Sequence, residues 1–233
     1  GFPAAYYKDH LTRITLADYL TRQFEQQVNR YTFRAKGSGK SGLISVTKCG
    51  QEVLERTACE ITEQGIIARF FVGFPANGRT INSGELEKIF FEFLPVCVEK
   101  AFFYRNLSGK DLENAIFLAE DQQFIREEIS RRSLAAFVND GAVLPRESGI
   151  SSRPMKNCVD FSSPESLRVT MELPHKGRIT GMGIPKGITL IVGGGYHGKS
   201  TLLNALELGV YNHIQGDGRE YVITDSTAQK LRS

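Results

Sequence analysis

The sequence lacks the features that would place the chain in a membrane or an oxidising compartment. Its 233 residues include only four cysteines, Cys49, Cys59, Cys97 and Cys158, with no C-x-x-C pair and no histidine at zinc-ligand spacing. This usage is typical of reduced thiols in a cytosolic protein. No apolar run approaches the roughly 20 residues that a membrane-spanning helix needs. The N-terminus has no basic-then-apolar signal pattern. We therefore predict a cytoplasmic protein without a membrane partner.

A strong charge of either sign is also absent. The chain has 29 Lys and Arg against 26 Asp and Glu, a net charge of +3. This excess is too small to indicate nucleic-acid binding, so only local clusters of cations could form such a surface. The hydrophobic content of 41% and charged content of 24% are ordinary for a globular protein of one large or two smaller domains.

The strongest motif lies at residues 188–201. An apolar, β-branched run, 188–192, predicts a strand that leads into glycines, and a helix is predicted over 199–209. Between them, Gly193, Gly198, Lys199 and Ser200 match G-x-x-x-x-G-K-[ST] without a mismatch. Such a loop points backbone N–H groups into a concavity at the positive end of a helix.

This motif predicts binding of ATP with Mg²⁺. The lysine would reach the β- and γ-phosphates, and the hydroxyl of Ser200 would ligate Mg²⁺. A glycine-rich turn that binds nothing is the alternative interpretation. Tyr196 and His197 could contact the nucleotide, or His197 could simply occupy a variable position of the loop. The predicted nucleotide-binding residues are Gly193, Gly194, Gly195, Tyr196, His197, Gly198, Lys199, Ser200 and Thr201.

Two local clusters of cations are candidate nucleic-acid contacts. The first is in the flexible, glycine-rich segment 34–42, which mimics a phosphate loop but lacks its first glycine and precedes a strand-like run. The second is in the long polar stretch 137–155 and just after it. Both clusters suit phosphate contacts. The alternative for the first cluster is a solvated loop, and the alternative for the second is a set of salt-bridged surface arginines. The candidate residues are Arg34, Lys36, Lys40, Arg146, Arg153 and Lys156.

Hydrophobic periodicity and turn residues predict the remaining elements. Thr15 is the predicted N-cap of the first helix and Ser83 that of the second, which Pro95 bends or divides. Helices are predicted over 16–32, 85–103 and 109–138, a hairpin over 52–73, and strands over 167–173, 177–187 and 221–224.

Two segments, 187–203 and 209–220, closely resemble the predicted ATPases of the ABC class, a non-transporter family. The resemblance extends upstream through 17–22, 36–42 and 144–149. It implies an α+β N-terminal domain, residues 1–157, followed by the beginning of an α/β ABC-type P-loop nucleotide-binding domain, residues 158–233. It also implies a link to RNA, which favours the two cationic clusters as a nucleic-acid surface.

The chain departs from this family pattern at its C-terminal end. An ABC-type domain also needs an acidic residue for Mg²⁺ after a later strand, a glutamate that positions water, and a signature motif from a second subunit. None can be placed before Ser233, and Asp225 follows Lys199 too closely for the first role. We therefore expect a fragment with no catalytic residue of its own. Its unpaired sheet edges would favour association between chains.

The sequence leaves two functions open. The preferred one is the ATP-binding portion of an ABC-class ATPase. The intact protein, as a homodimer with a composite site, would then hydrolyse ATP to act on a nucleic-acid partner such as RNA, or on another macromolecule. In the alternative, the chain is a nucleic-acid-binding or assembly module in which the nucleotide is only a switch. No acid–base or nucleophilic set outside the phosphate loop indicates a metabolic enzyme.

Overall fold

The computed structural model describes residues 1–231, which form two compact units. The first unit contains residues 1–49 and 55–113, and the second contains residues 50–54 and those from 114 onward. The main boundary between the two units thus falls between Glu113 and Asn114. This position is earlier in the chain than the predicted domain junction at 157–158.

In the first unit, one helix precedes a series of short strands and two helices follow it. A 3₁₀ turn over Ala4–Tyr7 precedes the first helix, and another over Tyr104–Asn106 follows the third. The main elements in chain order are α1 (His10–Val28), β1 (Ile44–Ser45), β3 (Cys59–Thr62), β4 (Gly65–Ala68), β5 (Phe71–Val72), β6 (Ala76–Asn77), β7 (Thr80–Ile81), α2 (Ser83–Lys88) and α3 (Leu94–Phe102). Strand β2 (Glu52–Val53) lies between β1 and β3 in the chain but belongs to the second unit.

The first helix begins six residues before the predicted start at residue 16. Its N-cap is Asp9, whose carboxylate accepts a hydrogen bond from the Thr12 amide at 2.8 Å, and the Thr12 side chain reaches back to the Asp9 backbone. This reciprocal capping box satisfies two amide donors, so the prediction of Thr15 as the cap was wrong. The hydrophobic periodicity that predicted this helix is confirmed, because Leu16, Leu20, Phe24 and Val28 are all buried, while Tyr19 at the same spacing is partly buried.

Only part of the predicted hairpin at 52–73 pairs with itself. Strands β3 and β4 form an antiparallel hairpin, whereas β5 pairs with β1 and β2 pairs with a later strand. The predicted second helix begins at Ser83, with Asn82 rather than Ser83 as its N-cap. A π-helical turn over Ile89–Phe93 separates α2 from α3, and Pro95 lies in the first turn of α3, so the helix is divided as expected.

A four-stranded antiparallel sheet dominates the second unit. Its order is β12–β8–β10–β9, and a helix, α4, begins in the first unit and continues into the second. The elements are α4 (Gly109–Arg131), β8 (Leu134–Asn139), β9 (Arg168–Leu173), β10 (Gly177–Pro185), α5 (Lys199–Leu208), β11 (Asn212–His213) and β12 (Val222–Thr224). A 3₁₀ turn, Glu165–Leu167, precedes β9, and β11 pairs with β2.

The predicted helix over 109–138 was wrong in its last part. The chain leaves the helix at Arg131, turns at Ser133 with a φ of 54°, and forms β8. This strand lies between β10 and β12. A continuous apolar run of this kind suits a strand that is covered on both faces, and periodicity alone does not distinguish it from a buried helix. The loop that was expected from residue 137 therefore begins after Asn139.

The two helices of the second unit pack on opposite faces of the sheet. Phe137 of β8 packs with Ile125 and Ile129 of α4, while its neighbour Val138 packs with Ala205 of α5. Alternate residues of a strand point to opposite faces, so α5 is held on the face away from α4. This packing fixes the position of the helix that follows the glycine-rich loop.

Candidate nucleotide-binding site

The glycine-rich loop passes directly into α5. The helix begins at Lys199, and its N-cap Gly198 has a φ of 78°, a left-handed conformation that glycine adopts without a steric cost. The first helical hydrogen bond joins the Leu202 amide to the Gly198 carbonyl at 2.9 Å. The amides of Lys199, Ser200 and Thr201 therefore precede the hydrogen-bonded ladder, at the positive end of the helix.

The lysine of the motif folds back over the loop. Its Nζ donates a hydrogen bond to the Gly193 carbonyl at 2.6 Å and another to the Gly194 carbonyl. The ammonium group therefore lies inside the curve of the loop, where a phosphate of a bound nucleotide would take the place of these carbonyl acceptors. This is the arrangement that the motif requires of its lysine.

The other loop residues surround the same curve or project from it. A Cβ added to Gly194 would lie 3.2 Å from Cε1 of His197, so this imidazole lies beside the loop backbone, whereas a Cβ added to Gly195 would contact nothing within 4 Å. Tyr196 has a φ of 62°, and its side chain is fully exposed. The backbone of Gly194–Gly195 is thus accessible to a ligand on its open side, and the set of residues fits a phosphate group.

The strand that was predicted before the loop is not formed within residues 1–231. Residues 188–192 lie outside the four-stranded sheet. Ile188, Leu190 and Val192 are 104%, 81% and 75% exposed. The run has β-branched residues that favour a strand, but a strand also needs a neighbour whose backbone groups it can bond, so the prediction was wrong.

The far end of α5 is held firmly, in contrast to its exposed loop. The Thr224 hydroxyl donates a hydrogen bond to the Leu206 carbonyl at 2.7 Å, and the Thr224 amide donates one to the Gly209 carbonyl at 2.9 Å. Asp225, next along the chain, forms an ion pair with Lys186 at 3.6 Å. The helix that carries the loop is therefore anchored to β12 at its C-terminal end.

The first cationic cluster is exposed but well ordered by hydrogen bonds. Arg34 lies over the Tyr31 ring, 4.9 Å from its centroid, and the Lys36 amide donates to a carboxylate oxygen of Glu85 at 2.8 Å. The segment that carries Lys40 is tied down by two backbone bonds of 2.8 Å, from Ser38 to Ala76 and from Gly42 to Gly73. The segment was predicted to be a flexible connection, whereas these bonds fix its backbone.

The second cationic cluster divides into one partly buried residue and two exposed ones. Arg146 forms an ion pair of 2.8 Å with the buried carboxylate of Asp217 and also donates to the Asp217 carbonyl. Arg153 and Lys156 are exposed. The Glu147 amide donates to the Arg153 carbonyl at 2.9 Å, which closes this stretch into a narrow loop. The Arg146 guanidinium thus has an intramolecular partner, and the other two side chains face solvent.

Sequence reasoning from the residues alone missed a buried polar cluster that includes Asp217. The cluster also contains His213 and Arg219, which are buried together with it. These residues lie within segment 209–220, which resembles the family, but the resemblance gave them no individual role. The signal in the sequence is the pair of glycines, Gly216 and Gly218, that encloses an acidic residue; both glycines have positive φ values, 84° and 78°.

Among the described residues, no helix has both the length and the apolar composition that crossing a bilayer requires. The same part of the chain has no group of three or more His, Cys, Asp or Glu side chains able to hold a metal ion.

Comparisons with known proteins match both parts of the chain. A family model described as a P-loop domain of ABC ATPases matches residues 108–233, and a model described as the N-terminal part of ATPases of the ABC class matches residues 1–105. An uncharacterized protein of Methanocaldococcus jannaschii is 30% identical over 118 residues, which cover 47% of this chain and 26% of that protein. The match thus covers about a quarter of that relative.

Proposed function

Because the chain belongs to the ATPases of the ABC class, with an α+β N-terminal region followed by a P-loop domain, we propose that residues 193–201 bind the phosphates of ATP. The backbone of Gly193–Gly198 would enclose the phosphates, Lys199 would neutralise their charge and Ser200 would bind Mg²⁺. Thr201 would support the phosphates, and Tyr196 and His197 would contact the nucleotide. The observation that carries the proposal is the position of Lys199 Nζ inside the loop.

Nucleotide titration of Lys199→Ala tests this proposal. Hydrogen bonds to charged groups contribute about 1.5–3 kcal/mol, so the variant should bind ATP about 10- to 150-fold more weakly. Lys186→Ala is the matched control, because it removes one positive charge from the same unit and only a solvent-exposed ion pair. Equal affinities of wild type and Lys199→Ala in isothermal titration calorimetry would refute the assignment.

We further propose that the intact protein hydrolyses ATP and couples hydrolysis to a nucleic-acid partner, with RNA as the first candidate. A second ABC-type domain, in a homodimer, would complete the composite site. Support for a nucleic-acid surface comes from the exposed side chains of Arg34, Lys36 and Lys40 in the first unit. Phe33, whose amide donates to Gly42 in the same loop, is also exposed and suits stacking on an unpaired base.

Salt-dependent binding of single-stranded RNA tests this second proposal. Lys36→Glu/Lys40→Glu should weaken binding and reduce the salt dependence, by about 0.7 in the log–log slope for each lost phosphate contact. Lys100→Glu/Lys110→Glu is the matched control, since both lysines are exposed in the same unit. If the two double variants bind RNA equally, the surface is elsewhere. If wild type binds RNA but ATP does not alter that binding, the proposed coupling fails.

The alternative module function makes a different prediction. If nucleotide is only a switch, the intact protein should bind ATP and change its RNA affinity without turnover. The domain boundary at 157–158 also stays a proposal, and the two family models divide the chain earlier, between residues 105 and 108. Phosphate release by the intact protein, with Lys199→Ala as the inactive control, distinguishes an ATPase from a switch.

A further inference from the structure

Three buried residues and one partly buried arginine form a charged cluster beside the C-terminal end of α5. We define the His213 cluster as His213, Asp217, Arg146 and Arg219. The side chains of His213 and Asp217 are 1% and 0% exposed, that of Arg146 is 13% exposed, and Arg219 as a residue is 2% exposed. Burial of so many charges is costly unless each is matched by a partner.

The hydrogen bonds of His213 define its charge. Nδ1 lies 2.7 Å from Oδ2 of Asp217, and Nε2 lies 3.1 Å from the carbonyl oxygen of Leu208. A carbonyl oxygen only accepts, and an ionised carboxylate also only accepts. A neutral imidazole has one donor nitrogen, so it would turn a lone pair toward one of these oxygens. Both bonds form together only when the ring is protonated.

The surrounding charges act in both directions on this proton. Asp217 favours the imidazolium through direct contact, and Glu52, which lies opposite His213 in the β2–β11 pair, adds a negative charge. Arg146 and Arg219 oppose it; burial and then the Arg146 charge lower the pKa of Arg219 to about 10.

The contacts nearest the ring nevertheless favour the charged form. Burial by itself would raise the pKa of Asp217, but the His213 hydrogen bond and the charges of His213 and Arg146 outweigh it and hold this pKa below its usual value. The carboxylate therefore stays ionised and accepts from both partners. Arg126 on α4 donates a hydrogen bond of 3.0 Å to the side-chain oxygen of Asn212, the neighbour of His213 in β11.

Leu208 is the last residue of α5, the helix whose first residues follow the glycine-rich loop. A cation at a helix C-terminus interacts favourably with the helix dipole and satisfies one of the last carbonyl groups. The helix has only ten residues, too few for stability without tertiary contacts. We propose that the protonated ring of His213, which donates to Asp217 and to the Leu208 carbonyl, is the C-terminal cap of α5 and positions the nucleotide loop at its other end.

The cap depends on the second ring proton of His213. A neutral imidazole would replace one of the two hydrogen bonds with a contact between two acceptors. His213 is a positioning residue in this scheme, because it contacts Leu208 and not the loop itself.

Imidazole nitrogen-15 spectra of the wild-type chain test the charge directly. The sequence has four histidines, His10, His175, His197 and His213, so His→Gln variants of the first three assign all signals. We expect the His213 ring to show two protonated nitrogens at pH 7.5, with slowly exchanging N–H protons. A neutral tautomer at that pH would overturn the proposal, and this result needs no variant of His213.

Amide exchange of α5 in His213→Gln tests the capping role without nucleotide. Amides of residues 202–209 should exchange roughly five- to thirtyfold faster, the upper part of the range for a cation at a helix C-terminus, which applies to poorly solvated sites. His175→Gln is the matched control. His175 also contacts a carboxylate, that of Glu120, but it lies in the turn between β9 and β10 and not at the end of α5. Unchanged exchange in α5 would contradict the proposal. If His213→Gln unfolds globally, the nitrogen-15 spectra of the wild-type chain still decide whether the His213 ring is protonated.

The consequence for nucleotide binding rests on the proposed function. With the loop less well positioned, His213→Gln should bind ATP more weakly than wild type, while His175→Gln should not. If wild type fails to bind ATP, the proposed function is wrong, yet the charge and exchange results still decide whether His213 caps α5. If ATP binds equally to wild type and His213→Gln although exchange is faster, the positioning role is refuted.

Discussion

Asp18 provides a sharp test of how the first unit is stabilised. Its side chain is 2% exposed and contacts two guanidinium groups, Arg22 Nε at 2.6 Å and Arg56 Nη1. The two arginine side chains are themselves only 17% and 12% exposed. Asp18→Ala removes the carboxylate that both contact and leaves two positive charges close together in a poorly solvated site. Removal of one partner from a buried pair typically costs about 3–5 kcal/mol.

Asp18→Ala should therefore lower the free energy of unfolding of the first unit by about 3–5 kcal/mol. Amide exchange of α1 measures this unit separately, and urea unfolding followed by circular dichroism gives the overall change. Asp18→Asn keeps the shape and isolates the charge. Glu99→Ala is the matched control, since its pair with Arg105 is exposed and should contribute at most about 1 kcal/mol. If Asp18→Ala costs no more than Glu99→Ala, the reasoning about burial is wrong.

Three further predictions concern packing, acid stability and thiol reactivity. Gly209→Ala should lower stability by about 1–3 kcal/mol in urea unfolding, because its Cβ would lie 2.7 Å from Thr224 Oγ1 and 3.0 Å from the Val222 carbonyl; no loss would refute this close contact. Since the pKa of Asp217 lies below its usual value, its contribution is present above the unfolded-state pKa and is lost as pH falls. The unfolding free energy should then fall less steeply below about pH 4 in Asp217→Asn than in wild type. The same dependence on pH in both proteins would contradict this. Burial raises the pKa of Cys59 to about 12, so iodoacetamide at pH 8 should spare this thiol in the folded chain, and rapid alkylation there would disprove its burial.

The sequence predicted the elements whose signals are local. The turn Gly198-Lys199-Ser200 and the following helix depend on glycine conformation, a charged side chain and helical periodicity within a few residues. The strands β9 and β10 were likewise recognised from alternation and turn residues, and the structure confirms both. Capping is also a local signal. It was misassigned for α1 because Asp9-x-x-Thr12 and Thr15-x-x-Asp18 offer two similar patterns in one stretch.

Other features depend on residues far apart in the chain. Leu134–Asn139 is a strand because it lies between β10 and β12. The apolar run by itself was predicted to be the end of a helix. Residues 188–192 show the reverse case, since they have strand propensity but no strand partner within residues 1–231. Backbone pairing is a property of two segments, so one segment alone does not determine it.

The glycine-rich turn and the helix after it are thus the part of this protein that its sequence determines by itself, because their signals lie in consecutive residues. Tertiary structure decided the roles of the charged residues. It committed Arg146 to Asp217 and placed His213 between Asp217 and the end of α5, while Arg153 and Lys156 were left exposed. The sequence determines which side chains carry a charge. Its partner is fixed only when folding excludes water and brings distant segments into contact.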